Sequence, residues 1–186
     1  MTDAIHVRTI RVEAARVGDC ELEVTGRLVD DRPQGSESWF GRPYGPTIHD
    51  MSLTLRVRYP DLVITGVGGS MAAHPYVVCP DAVPRLDRLV GLSVARGFTR
   101  ALNERLGRQQ GCAHLTALIH AMAPVVRQGA GAAFGEQADV PRPGRDRWFV
   151  DTCQAWRADG ALADRLRAGD LEGLQALSTP RPDPAA

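Results

Sequence analysis

Four places in the 186-residue sequence bring together side chains able to ligate a metal or attack a carbonyl: His49-Asp50, His74 with Cys79, Cys112 with His114, and Asp151 with Cys153. Thiolate and imidazole are the preferred ligands of zinc and of iron-sulfur iron, and a carboxylate can complete either set. No Cys-x-x-Cys pair occurs, so a metal site has to be assembled from separate elements by the tertiary structure. Cys112 and His114 stand two apart, about 200° around a regular helix, and both can face one ion only if Cys112 lies outside the spiral. Gly111 allows such an entrance, and a cysteine at a helix N-terminus has its thiol pKa lowered toward the reactive thiolate. Each candidate also has a plain packing reading. Cys112 then caps an apolar stripe beside a solvated His114, Cys79 is a small buried hydrophobe, and His49 is the margin of a buried strand face. His74 equally suits a loop, and His6 and His120 suit surface or satisfied positions. Cys20 is expected on a buried strand face, and Cys153 in a helix packed with Trp148, Phe149 and Trp156. Asp19, Asp30 and Asp31 read as turn residues.

The elements that position these groups follow from periodicity. "CELEVTGRLVDD" alternates, with Cys20, Leu22, Val24, Gly26 and Leu28 on one face, and "HVRTIRVEAARVGD" reads as its hairpin partner. "HDMSLTLRVRY" buries Met51, Leu53, Leu55, Val57 and Tyr59, and Pro60-Asp61 turns the chain into "LVITGVGGSM". Between the second and third strands, "RPQGSESWFGRPYGPT" carries Trp39, Phe40 and Tyr44, as a loop pinned by aromatics or a lid over a substrate. Beyond "HPYVVCP" the period becomes helical: "DAVPRLDRLVGL", "SVARGFTRALNERLG" and "CAHLTALIHAMAPVVRQ", the last with a stripe of Leu115, Leu118, Ile119, Met122 and Val126 and a kink or break at Pro124. The expected fold is α+β, an antiparallel β-meander of about four strands with helices on one face. The domain spans 1–135, with a linker over 136–147 drawn from "GAGAAFGEQADVPRPG". A helical extension over 148–177 packs on the domain, and 178–186 form a disordered tail.

Charge balance, 22 basic against 22 acidic residues, gives no overall field toward nucleic acid or anionic lipid. Every basic residue is Arg, which excludes a Schiff-base lysine and a Walker-type phosphate loop. No apolar run approaches a membrane span, and the N-terminus lacks a signal-peptide core, so a cytoplasmic protein with free thiols is expected.

On "IHDMSLTLRVRY", "PYVVCPDAVPRLDRLVGLSVARGF" and "GCAHLTALI" the chain resembles the bacterial family named domain of unknown function 2889, over most of its length. More distantly, the order of "HDM", a Cys before a helix with "LVGLS", and "GCAHLTAL" resembles the IscU/NifU-type iron-sulfur cluster scaffold fold. That likeness implies a small antiparallel sheet covered by helices, with Asp50 at the acidic position, Cys79 at the middle cysteine and Cys112 at the last. Where the scaffold has its first cysteine this chain has Ile48-His49, and where it has the histidine before the last cysteine this chain has Gly111, with His114 two residues on. The altered ligand set this implies is His49, Cys79, Cys112 and His114, which favours a firmly held Zn or Fe over a transferable iron-sulfur cluster. Three functions follow in order: a metal-binding protein acting on a small-molecule substrate as a lyase or hydrolase, with Asp50 as general base and Trp39, Phe40 and Tyr44 as the substrate loop; a non-enzymatic metal or cluster carrier; and a metal-free enzyme with Cys112 as nucleophile. Whether His74 or Cys153 joins the site is open.

Overall fold

The structure, a computed structural model, describes residues 3–95, 97–135 and 149–179. Apolar-polar alternation produces four long strands: β1 (Val7–Arg16), β2 (Glu21–Asp31), β5 (Thr47–Arg58) and β6 (Val63–Ala73). The two-residue strands β3 (Ser36–Glu37) and β4 (Pro43–Tyr44) make a small hairpin inside the aromatic loop. The long strands pair antiparallel in the order β1-β2-β5-β6, the meander expected from the sequence. Met51, Leu53, Leu55 and Val57 of β5 face inward with Leu22, Val24 and Leu28 of β2, and all are buried. Arg27, Ser52 and Arg56 lie on the opposite, wetter face. Two assignments on β2 are corrected. Cys20 is exposed, because the strand begins at Glu21 and Cys20 belongs to the preceding turn, where its carbonyl accepts from Tyr59 N–H at 2.8 Å. Asp30 is not a turn residue: β2 runs through Asp31, so its inward row continues one step past Leu28 and ends on a carboxylate.

Helix α2 (Ala113–Phe134) covers the inner face, and helix α1 (Phe98–Leu106) packs against α2 in the same core. The predicted stripe of Leu115, Leu118, Ile119, Met122 and Val126 is buried throughout. Gly26 gives the helix room to approach, since a Cβ there would stand 2.9 Å from both Leu118 Cδ1 and Met122 Sδ. Pro124 does not end the helix; it is exposed on the outer side, where loss of one backbone bond is tolerated. The stretch expected to open a linker, "GAGAAF", is instead the last part of α2. Its small residues serve close packing: a Cβ on Gly129 would lie 2.9 Å from Ala14 Cβ on β1, and Phe134 is buried and stacks on Tyr59 at 4.6 Å between ring centroids. The helix expected over "DAVPRLDRLVGL" is corrected to two short 3-10 turns, Cys79–Ala82 and Pro84–Leu89. Pro80 and Pro84 lack the N–H an α-ladder needs, and bonds such as Val83 N–H to Pro80 O run over three residues.

Two compact units divide the chain, Met1–Gly135 and Glu136–Ala186. In the second, Val150, Ala163 and Leu166 form a small core with Phe149, Trp156 and Leu174. Among the described residues of the terminal segment, helix is confined to α3 (Ala161–Ala168) and α4 (Leu171–Ala176). Cys153 therefore shares no helix with Phe149 and Trp156; it is exposed in a turn, while those two rings meet at 4.5 Å. The expected linker, 136–147, and most of the expected tail lie outside the described residues. No helix among the described residues is long and apolar enough to cross a membrane.

Candidate metal centre

The inward row of β2 is apolar until Asp30, the one buried charged residue among those described. Burial by itself raises a carboxyl pKa, so a carboxylate in this position needs partners. The sheet register supplies them: Arg8 on β1 and His49 on β5 are the residues paired with Asp30 across the sheet. Arg8 donates from Nε and Nη2 to the two carboxylate oxygens, each at 2.7 Å. His49 Nδ1 lies 3.0 Å from Oδ2, and His6, just before β1, places Nε2 3.3 Å from Oδ1. The two-pronged guanidinium outweighs desolvation and holds the Asp30 pKa down to about 2, so it is an anion at neutral pH.

The fourth group comes from α2. Gly111 brings the chain past the end of α1 so tightly that a Cβ would stand 2.8 Å from Leu106 O. Cys112 is then the extended N-cap residue, outside the spiral, and His114 sits in the first turn. This resolves the two-apart geometry: Cys112 Sγ approaches His114 Nδ1 at 3.8 Å, while His114 Nε2 reaches toward Asp30 Oδ2 at 3.6 Å. The His49 and His114 rings stack at 3.7 Å, tilted by 32°. Burial lowers both imidazole pKa values, opposed at His49 by the Asp30 hydrogen bond and reinforced at His114 by the charge on His49. Neutral imidazoles result, the form that ligates metals. One nitrogen of each histidine and one oxygen of Asp30 lie within 4.8 Å of one another, an arrangement able to hold one metal ion.

Of the residues singled out in the sequence, the fold brings His49 and His114 together, with Cys112 against His114. Cys79 opens the first 3-10 turn and, with Cys112, His49 and His114, lines a cleft of ≈ 460 Å³ walled by Trp39, Tyr44 and Tyr76. Phe40 packs edge-on against Trp39 at 5.3 Å and is exposed. Asp50 stands apart, on the outer face, where Arg27 donates to both its oxygens at 2.8 and 2.7 Å. His74 is a loop residue with Nδ1 2.9 Å from Tyr76 O. In the sequence Asp30 reads as a turn residue and Arg8 is not singled out, although the signal is present: Asp30 has the parity of Leu22 and Leu28, so extending the alternation by one step puts a carboxylate on the core face.

A family model described as "Protein of unknown function (DUF2889)" matches residues 6–128, more than half of the chain, and the protein belongs to that family. His6, Arg8, Asp30, His49, Cys112 and His114 all fall inside the matched span. No curated protein and no solved structure matches the chain, so the IscU/NifU likeness rests on motif order alone.

Proposed function

We propose that this protein holds a divalent transition metal, Zn²⁺ or Fe²⁺, between Asp30, His49 and His114, and that the ion acts on a small molecule in the adjoining cleft. The spacing of the donor atoms carries the reading. Ligands about 2.0 to 2.1 Å from a tetrahedral ion are separated from one another by roughly 3.3 Å. Asp30 Oδ2 lies 3.0 Å from His49 Nδ1 and 3.6 Å from His114 Nε2, on either side of that value. Each carboxylate oxygen has two acceptor positions, so the bond from Arg8 leaves Oδ2 able to take an ion. Arg8 then orients the ligand, as outer partners of metal-bound carboxylates do. An ion on His49 Nδ1 takes the lone pair of the neutral imidazole in its Nε2–H tautomer, and replaces the hydrogen bond to Asp30 with a shared metal. Two imidazoles and one carboxylate leave a coordination position for water or a carbonyl oxygen, which suits hydrolysis or lyase chemistry. A cluster is set aside, because iron-sulfur iron is held chiefly by thiolates and the three converging donors include none. A passive carrier is a weaker reading, because His49 and His114 line the cleft together with aromatic walls.

The Cys112–His114–Asp30 line supports a second reading, in which Cys112 is a nucleophile, His114 its base and Asp30 the group that orients the base. Metal analysis separates the two. Protein purified without air, stripped with chelator and titrated with Zn²⁺ or Fe²⁺ is expected to take up one equivalent, and His49→Ala and His114→Ala to take up none. Cys112→Ser leaves uptake unchanged if the thiol lies outside the ligand set. A wild-type protein that binds neither metal sinks the first reading, and rapid alkylation of Cys112 that depends on His114 then supports the second.

A further inference from the structure

The cleft beside the proposed centre has a composition that narrows its ligand. Its volume, ≈ 460 Å³, lies in the range of small-molecule sites. Its walls are largely apolar or aromatic: Trp39, Tyr44 and Tyr76 with Ile48 and Met51. Trp39 leaves 92% of its surface in water, a large cost for an indole, and among the described residues its ring contact is with Phe40 at the loop tip. A single guanidinium, Arg32, lines the same cleft, half-buried. Among the described residues its side chain has no carboxylate partner, whereas Arg8, Arg27, Arg56 and Arg58 of the same sheet all pair with acids. The cleft's own carboxylate, Glu37, is exposed and turned back toward its hairpin corner, where Oε1 lies 3.4 Å from the place a Cβ on Gly41 would take. One unpaired planar cation among aromatic walls matches a ligand with one carboxylate and a flat apolar body. A phosphate ester, with more charge, is served better by several donors.

We infer that the cleft binds a small aromatic carboxylate, its ring against Trp39, Tyr44 and Tyr76 and its carboxylate on Arg32, presenting the ligand to the Asp30–His49–His114 centre. The inference rests on the metal reading for the chemistry done on that ligand, whereas binding to Arg32 and the aromatic wall is separable from it.

The test is calorimetric and ligand-observed NMR titration of the full chain with benzoate, benzamide and acetate, in chelator and again with one equivalent of Zn²⁺. Benzoate is expected to bind in both states. Benzamide, flat but uncharged, and acetate, charged but without a ring, should each bind at least tenfold more weakly. Arg32→Gln should bring benzoate down to the level of benzamide, and Trp39→Ala should weaken both. Equal binding of benzoate and benzamide, or of benzoate and acetate, overturns the inference, as does an absence of benzoate binding in both states. Benzoate that binds only with Zn²⁺ and ignores Arg32→Gln is held by the ion, which overturns the Arg32 assignment and supports the metal reading. Conversely, Arg32-dependent benzoate binding in protein that takes up no metal upholds the inference and rejects the metal reading.

Discussion

Replacing Arg8 with Gln removes both short bonds to Asp30 and leaves a buried carboxylate with only His49, His6 and His114 nearby. In the wild type the Asp30 pKa is held at about 2 against an ordinary 3.8. At about 1.4 kcal/mol per pKa unit that difference contributes about 2 kcal/mol to stability. The sign follows from linkage. A depressed carboxyl pKa stabilises the fold fully above the unfolded value near 3.8, and the contribution is lost as pH falls toward 2. Without Arg8 the desolvation of Asp30 is unopposed by its largest partner, so the contribution vanishes or reverses. Arg8 keeps 38% of its side-chain surface in water, so part of the lost interaction is restored by solvent, and the expected destabilisation at pH 7 is about 2 kcal/mol, below the 3 to 5 typical of a fully buried pair. Urea denaturation of wild type and Arg8→Gln at pH 7, 4 and 2 is the assay. The gap between the two proteins should be largest at pH 7 and close most of the way by pH 2, where Asp30 is about half protonated in the wild type and protonated in Arg8→Gln. A gap that persists undiminished at pH 2 shows that Arg8 acts through packing of its stem, and equal stability at pH 7 refutes the electrostatic account altogether.

Three further outcomes are expected. Gly111→Ala places a Cβ 2.8 Å from the Leu106 carbonyl, a backbone atom, so the entrance to α2 has to shift; Zn²⁺ affinity should fall at least tenfold by calorimetry while far-UV circular dichroism stays unchanged. Leu118→Ala should cost about 3 kcal/mol in urea denaturation, since the side chain is fully buried against Gly26; a loss below 1 kcal/mol means that the helix relaxes onto the sheet. In metal-free protein His49 and His114 should titrate below the ordinary 6.5 by NMR, and because the unfolded chain binds those protons more readily, stability should decline as pH drops below about 6.5; values above it contradict the burial that sets them.

Much of the fold was legible because it rests on local periodicity. The period of two in "ELEVTGRLVDD" and "HDMSLTLRVRY" survives as β2 and β5, and the stripe from Leu115 to Val126 as α2, since each pattern buries one face whatever its partner. Where reading failed, composition misled. Gly129 and its small neighbours resemble a linker, yet in the fold they are the close contact between α2 and β1, and that depends on a strand more than a hundred residues away. At Pro80 and Pro84 the helical spacing of the apolar residues is outweighed by the missing N–H groups, and 3-10 turns form.

For the site the division is sharper. From the sequence alone came the residue types, the soft spot at Gly111-Cys112, and His49 and His114 as ligand candidates. Which carboxylate joins them was decided only in three dimensions. Asp50 adjoins His49 in the chain, but neighbours in a strand point to opposite faces, and Asp50 goes to Arg27 on the outer side. Asp30, nineteen residues before His49 in the chain, is its partner across the sheet. Strand register and the seating of α2 set those distances, and both arise from burying the whole core rather than from any motif around the site.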